Sequence, residues 1–239
     1  MPFTLLPGSR GKPQHARFDE SLILLAANKG PVACIWEAGQ GLVVPRTYRR
    51  YPRFDDACEQ LLQAGWPITV RQTGGGIVPQ GPGIINLSLA YAVHGKPMDH
   101  SEAAYQLICH IISQALLPFG IKAHPQAVSG SFCDGRYNLA TGHHETARKV
   151  AGTAQMWRKH PGAASSDLQI VLVHALILAQ VDADALCALA NQFEQALGNN
   201  TRYDSARVAS LHSSLATPTP PNWTEQLHQA LAQQIALQQ

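Results

Sequence analysis

The chain has no run of roughly five or six like charges, so neither a nucleic-acid arm nor a polybasic membrane patch is visible. Its 18 basic and 16 acidic residues leave a formal net charge of +2, and nucleic acid is not an expected partner. Long apolar runs are missing too. The longest early block, Ser21 to Ala27, is too short to span a bilayer and follows Asp19 and Glu20 where a signal peptide carries positive charge. The expectation is a cytoplasmic protein with no membrane partner. Five cysteines, Cys34, Cys58, Cys109, Cys133 and Cys187, form no C-x-x-C pair and no regular spacing, which argues against a disulfide framework and a structural zinc site. No G-x-S-x-G elbow supports a serine hydrolase, and no repeat of fixed period occurs.

What is present suffices for a folded α/β domain: 239 residues, 45% hydrophobic and 14% charged. Residues 1–17 read as an irregular arm. A short helix from about Glu20 to Asn28 ends at Lys29-Gly30. PVACIWEA and GLVVP read as strands joined at Gly39 to Gly41, FDDACEQLLQAG as a helix stopped by Gly65, and WPITVRQ and IINLSLAYAV as further strands. Asp99 to Phe119 has helical apolar spacing, with Asp99 and Glu102 placed as a capping box. IVLVHALIL is a strand, Asp182 to Gly198 a helix, Thr217 to Pro221 a proline linker, and Asn222 with Glu225 repeats the capping arrangement for a last helix. Helices and strands mix without strict alternation, so the expectation is one domain around a mixed, largely antiparallel sheet.

Two segments carry the chemistry. In RQTGGGIVPQGPGIINLSL, three consecutive glycines follow a strand and leave backbone N–H groups that no side chain blocks, so something is expected to approach closely, although a plain glycine-rich turn gives the same pattern. No Gly-Lys-Ser/Thr follows, and the segment opens into a strand, which excludes a P-loop and a Rossmann fingerprint. Arg71 at the strand end suits a phosphate or carboxylate but is weak evidence alone. In SFCDGRYNLATGHHETARKVAG, YNLAT and ARKVAG are expected to pair as a hairpin across Gly142 to Thr146. Pairing Ala140 with Ala147 puts Lys149 opposite Asn138 and leaves Cys133 roughly 13 Å away at about 3.3 Å per residue, so contact requires a bend. A nearby ammonium favours the thiolate that attacks an acyl group and helps stabilise an oxyanion; the residues alone leave Cys133 open between structural and catalytic. The other four cysteines read as small buried hydrophobes. HHETAR lacks the second histidine of a zinc helix, Arg148 standing in its place, and no metal is expected. His174 reads as a core or ligand-contacting histidine.

Taken in order, VRQTGGGIVPQGPGIINLSL, GRYNLA, ARKVAGTAQ and VLVHALILAQVDADAL resemble the lipoate-protein ligase A and octanoyltransferase family, whose catalytic domain also resembles biotin-protein ligases. The resemblance implies a single biotin/lipoate ligase-like catalytic domain over residues 18–215, with residues 216–239 forming the proline linker and a helix packed on it. SFCDGRYNLA with the following lysine looks most like the octanoyl-carrier-protein amidotransferases. That implies Cys133 as a nucleophile that carries the acyl chain as a thioester, and Lys149 as the residue that lowers its pKa. Arg71, Gly74, Gly75, Gly76, Ile77, Val78, Asn86, Asn138, Gly152, Thr153 and His174 are the substrate-binding residues it implies. The donor is then an acylated carrier protein, and the acceptor a lipoyl domain of a 2-oxoacid dehydrogenase or the glycine cleavage system. No cofactor is required for thioester transfer; ATP and Mg enter only in the alternative of an ATP-dependent lipoate-protein ligase, which generally needs an additional accessory domain. A non-catalytic acyl-binding protein is the other alternative. Departures from the family are Gln80-Gly81 where ligases carry His-Asp, Ala175 where a glycine is usual, and the HHET insertion. The biotin ligases' GRGRxGR-type loop is absent, and a monomer is the default.

Overall fold

Ile170 to Leu178 is apolar at nearly every position because it runs through the middle of a sheet covered on both faces. The computed structural model describes residues 2–8, 13–162, 167–215 and 221–238. In chain order its strands are β1 (Thr4–Leu6), β2 (Val32–Trp36), β3 (Gly41–Pro45), β4 (Ile68–Arg71), β5 (Val78–Gln80), β6 (Ile84–His94), β7 (His124–Pro125), β8 (Leu139–Thr141), β9 (Arg148–Lys159) and β10 (Leu168–Leu178). The α-helices are α1 (Leu22–Lys29), α2 (Phe54–Gln63), α3 (Pro97–Leu116), α4 (Ala183–Ala196) and α5 (Trp223–Ala236).

The large sheet has the order β1-β2-β6-β10-β9-β8-β7 and is antiparallel except at the β1–β2 edge. The expected mixed, largely antiparallel α/β fold is therefore observed. A second sheet, β4-β3-β5, stands apart from it, so β2 and β3 are not partners in one sheet: the chain between them crosses from the large sheet to the small one. Thr4–Leu6, within the span read as an irregular arm, pairs with β2 as an edge strand.

Three apolar clusters fix the layers. The 20-residue α3 buries Ile108, Ile111, Ile112 and Leu116 against one face of the large sheet, at about 1.5–3 kcal/mol for each such side chain removed from water. Leu227, Leu231 and Ile235 of α5 join the same cluster. On the other face, Leu22 and Ile23 of α1 pack with Trp36, Met156 and Leu172. The small sheet closes on α2 and α4 through Leu42, Val44, Leu61 and Phe193.

Helix ends follow local chemistry only in part. Asp182 caps α4 by accepting from the Ala185 N–H at 3.0 Å, and Gly30 ends α1 at φ 86°, a left-handed conformation that glycine adopts without a Cβ penalty. Asp99 does not cap α3: the helix begins two residues earlier at Pro97, whose fixed φ suits a first turn, and leaves Asp99 inside it. Asn222 precedes α5 at φ 53° without a side-chain capping bond. Most of the proline linker lies outside the described residues. Among those described, no helix is long and apolar enough to cross a membrane.

Candidate active site

Cys133 sits in the loop between β7 and β8, and its neighbours are pinned on several sides. Phe132 is fully buried in the small-sheet cluster, and the Asp134 carboxylate accepts from the Val128 N–H at 2.8 Å. The Asn138 amide donates to the Cys133 carbonyl at 3.1 Å. Lys149, reaching from β9, donates to the Phe132 and Cys133 carbonyls at 2.6 and 3.1 Å. Held this way, Cys133 has φ 49°, a left-handed backbone that costs a non-glycine residue about 1–2 kcal/mol. Strain of this kind persists where packing over-determines it, and it clusters at functional sites.

The close approach that the glycines permit is made by Cys133 itself. A Cβ on Gly75 would stand 2.6 Å from the Cys133 Sγ, and one on Gly76 3.3 Å from its Cα. The Gly76 N–H donates to Sγ at 3.3 Å. Arg71, buried at the end of β4, donates to the Gly74 and Gly76 carbonyls at 2.8 and 2.7 Å, to Val43 at 3.2 Å, and lies 3.9 Å from Sγ. Burial lowers the Arg71 pKa from its ordinary value, while the adjacent Cys133 sulfur acts in the opposite sense.

Lys149 approaches Cys133 from its backbone side. Its ammonium is fully buried and hydrogen-bonds the carbonyls behind the sulfur, whereas Arg71 and Gly76 are the hydrogen-bonding neighbours of Sγ. Burial pushes the amine down to about 8, and the charge of Cys133 opposes that shift. The hairpin register differs from the expected one. Lys149 pairs with Ala140 rather than Asn138, because the hairpin closes at Thr141–Arg148 around a 3-10 turn at His144–Thr146; the bulge between Leu139 and Ala140 lies beyond that pair and sets Leu139 against Ala151. Turns closed by the Ser131 N–H on the Val128 carbonyl at 3.1 Å and the Asn138 N–H on the Gly135 carbonyl at 3.0 Å bend the chain on either side of Cys133. Gly152 makes room for the amine, since a Cβ there would meet the Lys149 Nζ at 3.0 Å.

A cavity opens in front of Sγ, between the large sheet and the small one. Its apolar wall includes Trp36, Val43, Met156, Leu172 and Leu176, and its polar wall includes Cys133, Arg71, Asn86, Thr153, His174 and Asp19. Gly152 and Val78 also line it. Of the other residues expected to bind substrate, Gly75 and Gly76 back the thiol, Gly74 is exposed with its carbonyl on Arg71, and Asn138 holds the Cys133 carbonyl. Ile77 is fully buried in the small-sheet core. Asn86 and Gln80 exchange two amide bonds of 2.8 and 3.1 Å.

Asp19 had no local signal in the sequence. It is buried, 2.6 Å from His174 Nδ1, and Ser88 and Trp36 extend the pair through bonds of 3.4 and 3.0 Å. Also missed was RTYRRYPR, four arginines from Arg46 to Arg53. Arg46, Arg49 and Arg50 line an open groove with Arg17 and Gln72, which also border the cavity. The HHET insertion serves structure: His143 stacks on His124 at 4.3 Å, and Glu145 pairs with Arg207 at 2.7 Å. Among the described residues no group of three or more His, Cys, Asp or Glu side chains is arranged to hold a metal.

Comparison with known proteins places this geometry. Residues 14–235 match the lipoyl protein ligase A/B catalytic domain. An uncharacterized protein of Cupriavidus necator is 48% identical over 82% of this chain and 78% of its own length. The octanoyl-[GcvH]:protein N-octanoyltransferase of Kyrpidia tusciae is 36% identical over 56% of this chain; the chain spans less than half of that relative, 45%. The fold is similar to that of a lipoate-protein ligase A bound with ATP, with TM-score 0.68, 17% identity and coverage of 98% of this chain and 84% of that one. With a match that takes in β2 to β10, α1 to α4, nearly all of α5 and the Cys133 cavity, the chain belongs to the lipoyl protein ligase A/B catalytic-domain family.

Proposed function

We propose that this protein moves an octanoyl or lipoyl group through a thioester on Cys133 onto a lysine of a lipoyl domain. The observation that carries the reading is the placement of Sγ: it borders an apolar-walled cavity, accepts the Gly76 N–H at 3.3 Å and lies 3.9 Å from the Arg71 guanidinium. Both donors are directed at the atom that attacks a carbonyl. The acyl chain lies along Trp36, Met156 and Leu172 with its carbonyl at Sγ. Attack forms the S–C bond and displaces the donor, which leaves with a proton; the acceptor amine then breaks that bond and forms the amide.

Lys149 acts here as a positioning residue whose two carbonyl bonds hold Cys133 in its left-handed conformation. The sulfur and the amine interact electrostatically, Cys133 raising the Lys149 pKa against the larger effect of burial. The named activity of the Kyrpidia tusciae relative supports a protein-bound octanoyl donor and a protein acceptor. The arginine groove beside the cavity mouth supports a protein partner with an acidic surface. Arg46, Arg49 and Arg50 have no ion pair among the described residues.

The test combines the purified chain, an octanoylated carrier protein and an unmodified lipoyl domain without ATP, followed by intact mass. An adduct on Cys133 that disappears as the acceptor gains the octanoyl group is the expected result. Transfer that persists in Cys133→Ala and shows no adduct refutes the thioester route. A strict ATP requirement with pyrophosphate release selects the ligase alternative. Tight acyl binding with no transfer selects a non-catalytic acyl-binding protein.

A further inference from the structure

The second half of that reaction needs a base. A lysine acceptor is protonated near neutral pH, and its ammonium has no lone pair with which to attack a thioester. The mechanism so far leaves one pair in the cavity wall without a role, the buried Asp19 and the half-buried His174.

His174 Nδ1 lies 2.6 Å from Asp19 Oδ2. A carboxylate there accepts the Nδ1 proton and fixes the tautomer with its lone pair on Nε2. That Nε2 is shielded from water and has no hydrogen-bond partner among the described residues, while the residue itself lines the cavity. Buried polar atoms are rarely left unpaired, since each costs about 1–3 kcal/mol, and a catalytic role is one reason a fold retains one. The His174 side chain is about 24% exposed, so the ring borders the cavity while this nitrogen lies buried and unpaired.

Strand register places the imidazole relative to the thiol. On β9 and β10, Leu176 faces Gly152 and His174 faces Ala154. Gly152 is the residue whose missing side chain accommodates Lys149 beneath Cys133. His174 is therefore two residues farther along the same face, about 7 Å at about 3.3 Å per residue. Cys133 and His174 line the same cavity, so a thioester carbonyl on sulfur and the nitrogen that attacks it share that space with the imidazole.

Resting on the thioester reading, we infer that His174 is the general base that deprotonates the incoming acceptor amine, and that Asp19 is the positioning residue that sets its tautomer. The ε-ammonium gives one proton to Nε2, and the freed lone pair forms the C–N bond at the thioester carbonyl. On collapse the C–S bond breaks, its electron pair returns to Sγ, and the second nitrogen proton leaves with the sulfur as thiol. The imidazolium then loses its proton to water. The other charged groups facing this cavity are Arg71, Cys133 and the Arg17–Glu20 pair; Ser88 and Ala154, opposite His174 on β6 and β9, are uncharged.

The test separates the half-reactions. The chain is loaded with octanoate from the acylated carrier, the Cys133 adduct is followed by mass, and a lipoyl domain is then added in a single turnover. In His174→Ala the adduct is expected to form but to persist, with transfer to the lysine slowed about 100-fold and partly restored by free imidazole. Asp19→Asn, whose amide favours the wrong tautomer, is expected to lower kcat with little change in KM for the acceptor. His174→Gln, close to isosteric, provides a second variant, with far-UV circular dichroism confirming the fold. Absence of any adduct in the unmodified chain overturns the thioester reading and this inference with it. An adduct handed over at the wild-type rate by His174→Ala or His174→Gln, or a loss that imidazole leaves untouched, overturns the inference alone.

Discussion

Replacing Gly75 by alanine tests whether the glycines exist to admit Cys133. The new Cβ would stand 2.6 Å from Sγ and 3.0 Å from Arg71 Nη2, on a backbone with φ 97°. Non-bonded carbon atoms settle at about 3.5–4.0 Å, so the shortfall to the larger sulfur is about 1 Å and one of the two groups must move. The left-handed backbone costs a residue with a Cβ about 1–2 kcal/mol. Both obstructing atoms are side-chain ends and Sγ borders the cavity, so displacement of the sulfur adds little and the expected loss is about 1–2 kcal/mol. The sulfur also swings away from the Gly76 N–H. Gly74→Ala is the control, because a Cβ there meets nothing within 4 Å; its effect on stability is expected to stay within about 0.5 kcal/mol. Urea unfolding of the three chains measures the energies, and peptide-level mass spectrometry after iodoacetamide treatment measures thiol reactivity at Cys133, expected to fall in Gly75→Ala. Should Gly75→Ala match the control in stability and alkylate at the wild-type rate, the glycines do not make room for the sulfur.

Stability is expected to peak near pH 9. Lys149 falls from 10.5 to about 8 on burial, so above about pH 8 the unfolded chain holds more protons at this amine and stability rises with pH, by at most about 1.4 kcal/mol per unit. Cys34, Cys109 and Cys187 are pushed up from 9.0 to about 11, 12 and 11, so above about pH 9 the unfolded chain ionises first and stability is lost. Denaturant melts across this range check the order, and a steady fall from pH 7 contradicts it. At the groove, reversing Arg46, Arg49 and Arg50 to glutamate is expected to raise KM for a protein acceptor about tenfold and to flatten its salt dependence, leaving thermal stability unchanged. Steady-state transfer at low and high salt decides that, and an unaltered KM removes the groove from docking.

Much of this protein is written locally. The apolar spacing of α3, the Asp182 cap, the glycine after α1 and the triple glycine following β4 each depend on a few adjacent residues, and each was legible before any fold was known. So was the special position of Cys133 among five cysteines. The tertiary structure decided what those signals were for. Closure of the hairpin at Thr141–Arg148, around a 3-10 turn at His144–Thr146, moved Lys149 along its partner strand, and no propensity scale fixes where a six-residue loop closes. The four arginines after β3 were visible in the chain as a loose cluster, but only the fold sets three of them, Arg46, Arg49 and Arg50, in a groove with Arg17 and Gln72, which also border the cavity. Asp19 and His174 lie far apart in the chain, and their contact follows from α1 packing across β6 and β10. Local sequence sets backbone preferences over a turn or a strand; which buried groups meet is set by how the whole chain closes its apolar faces.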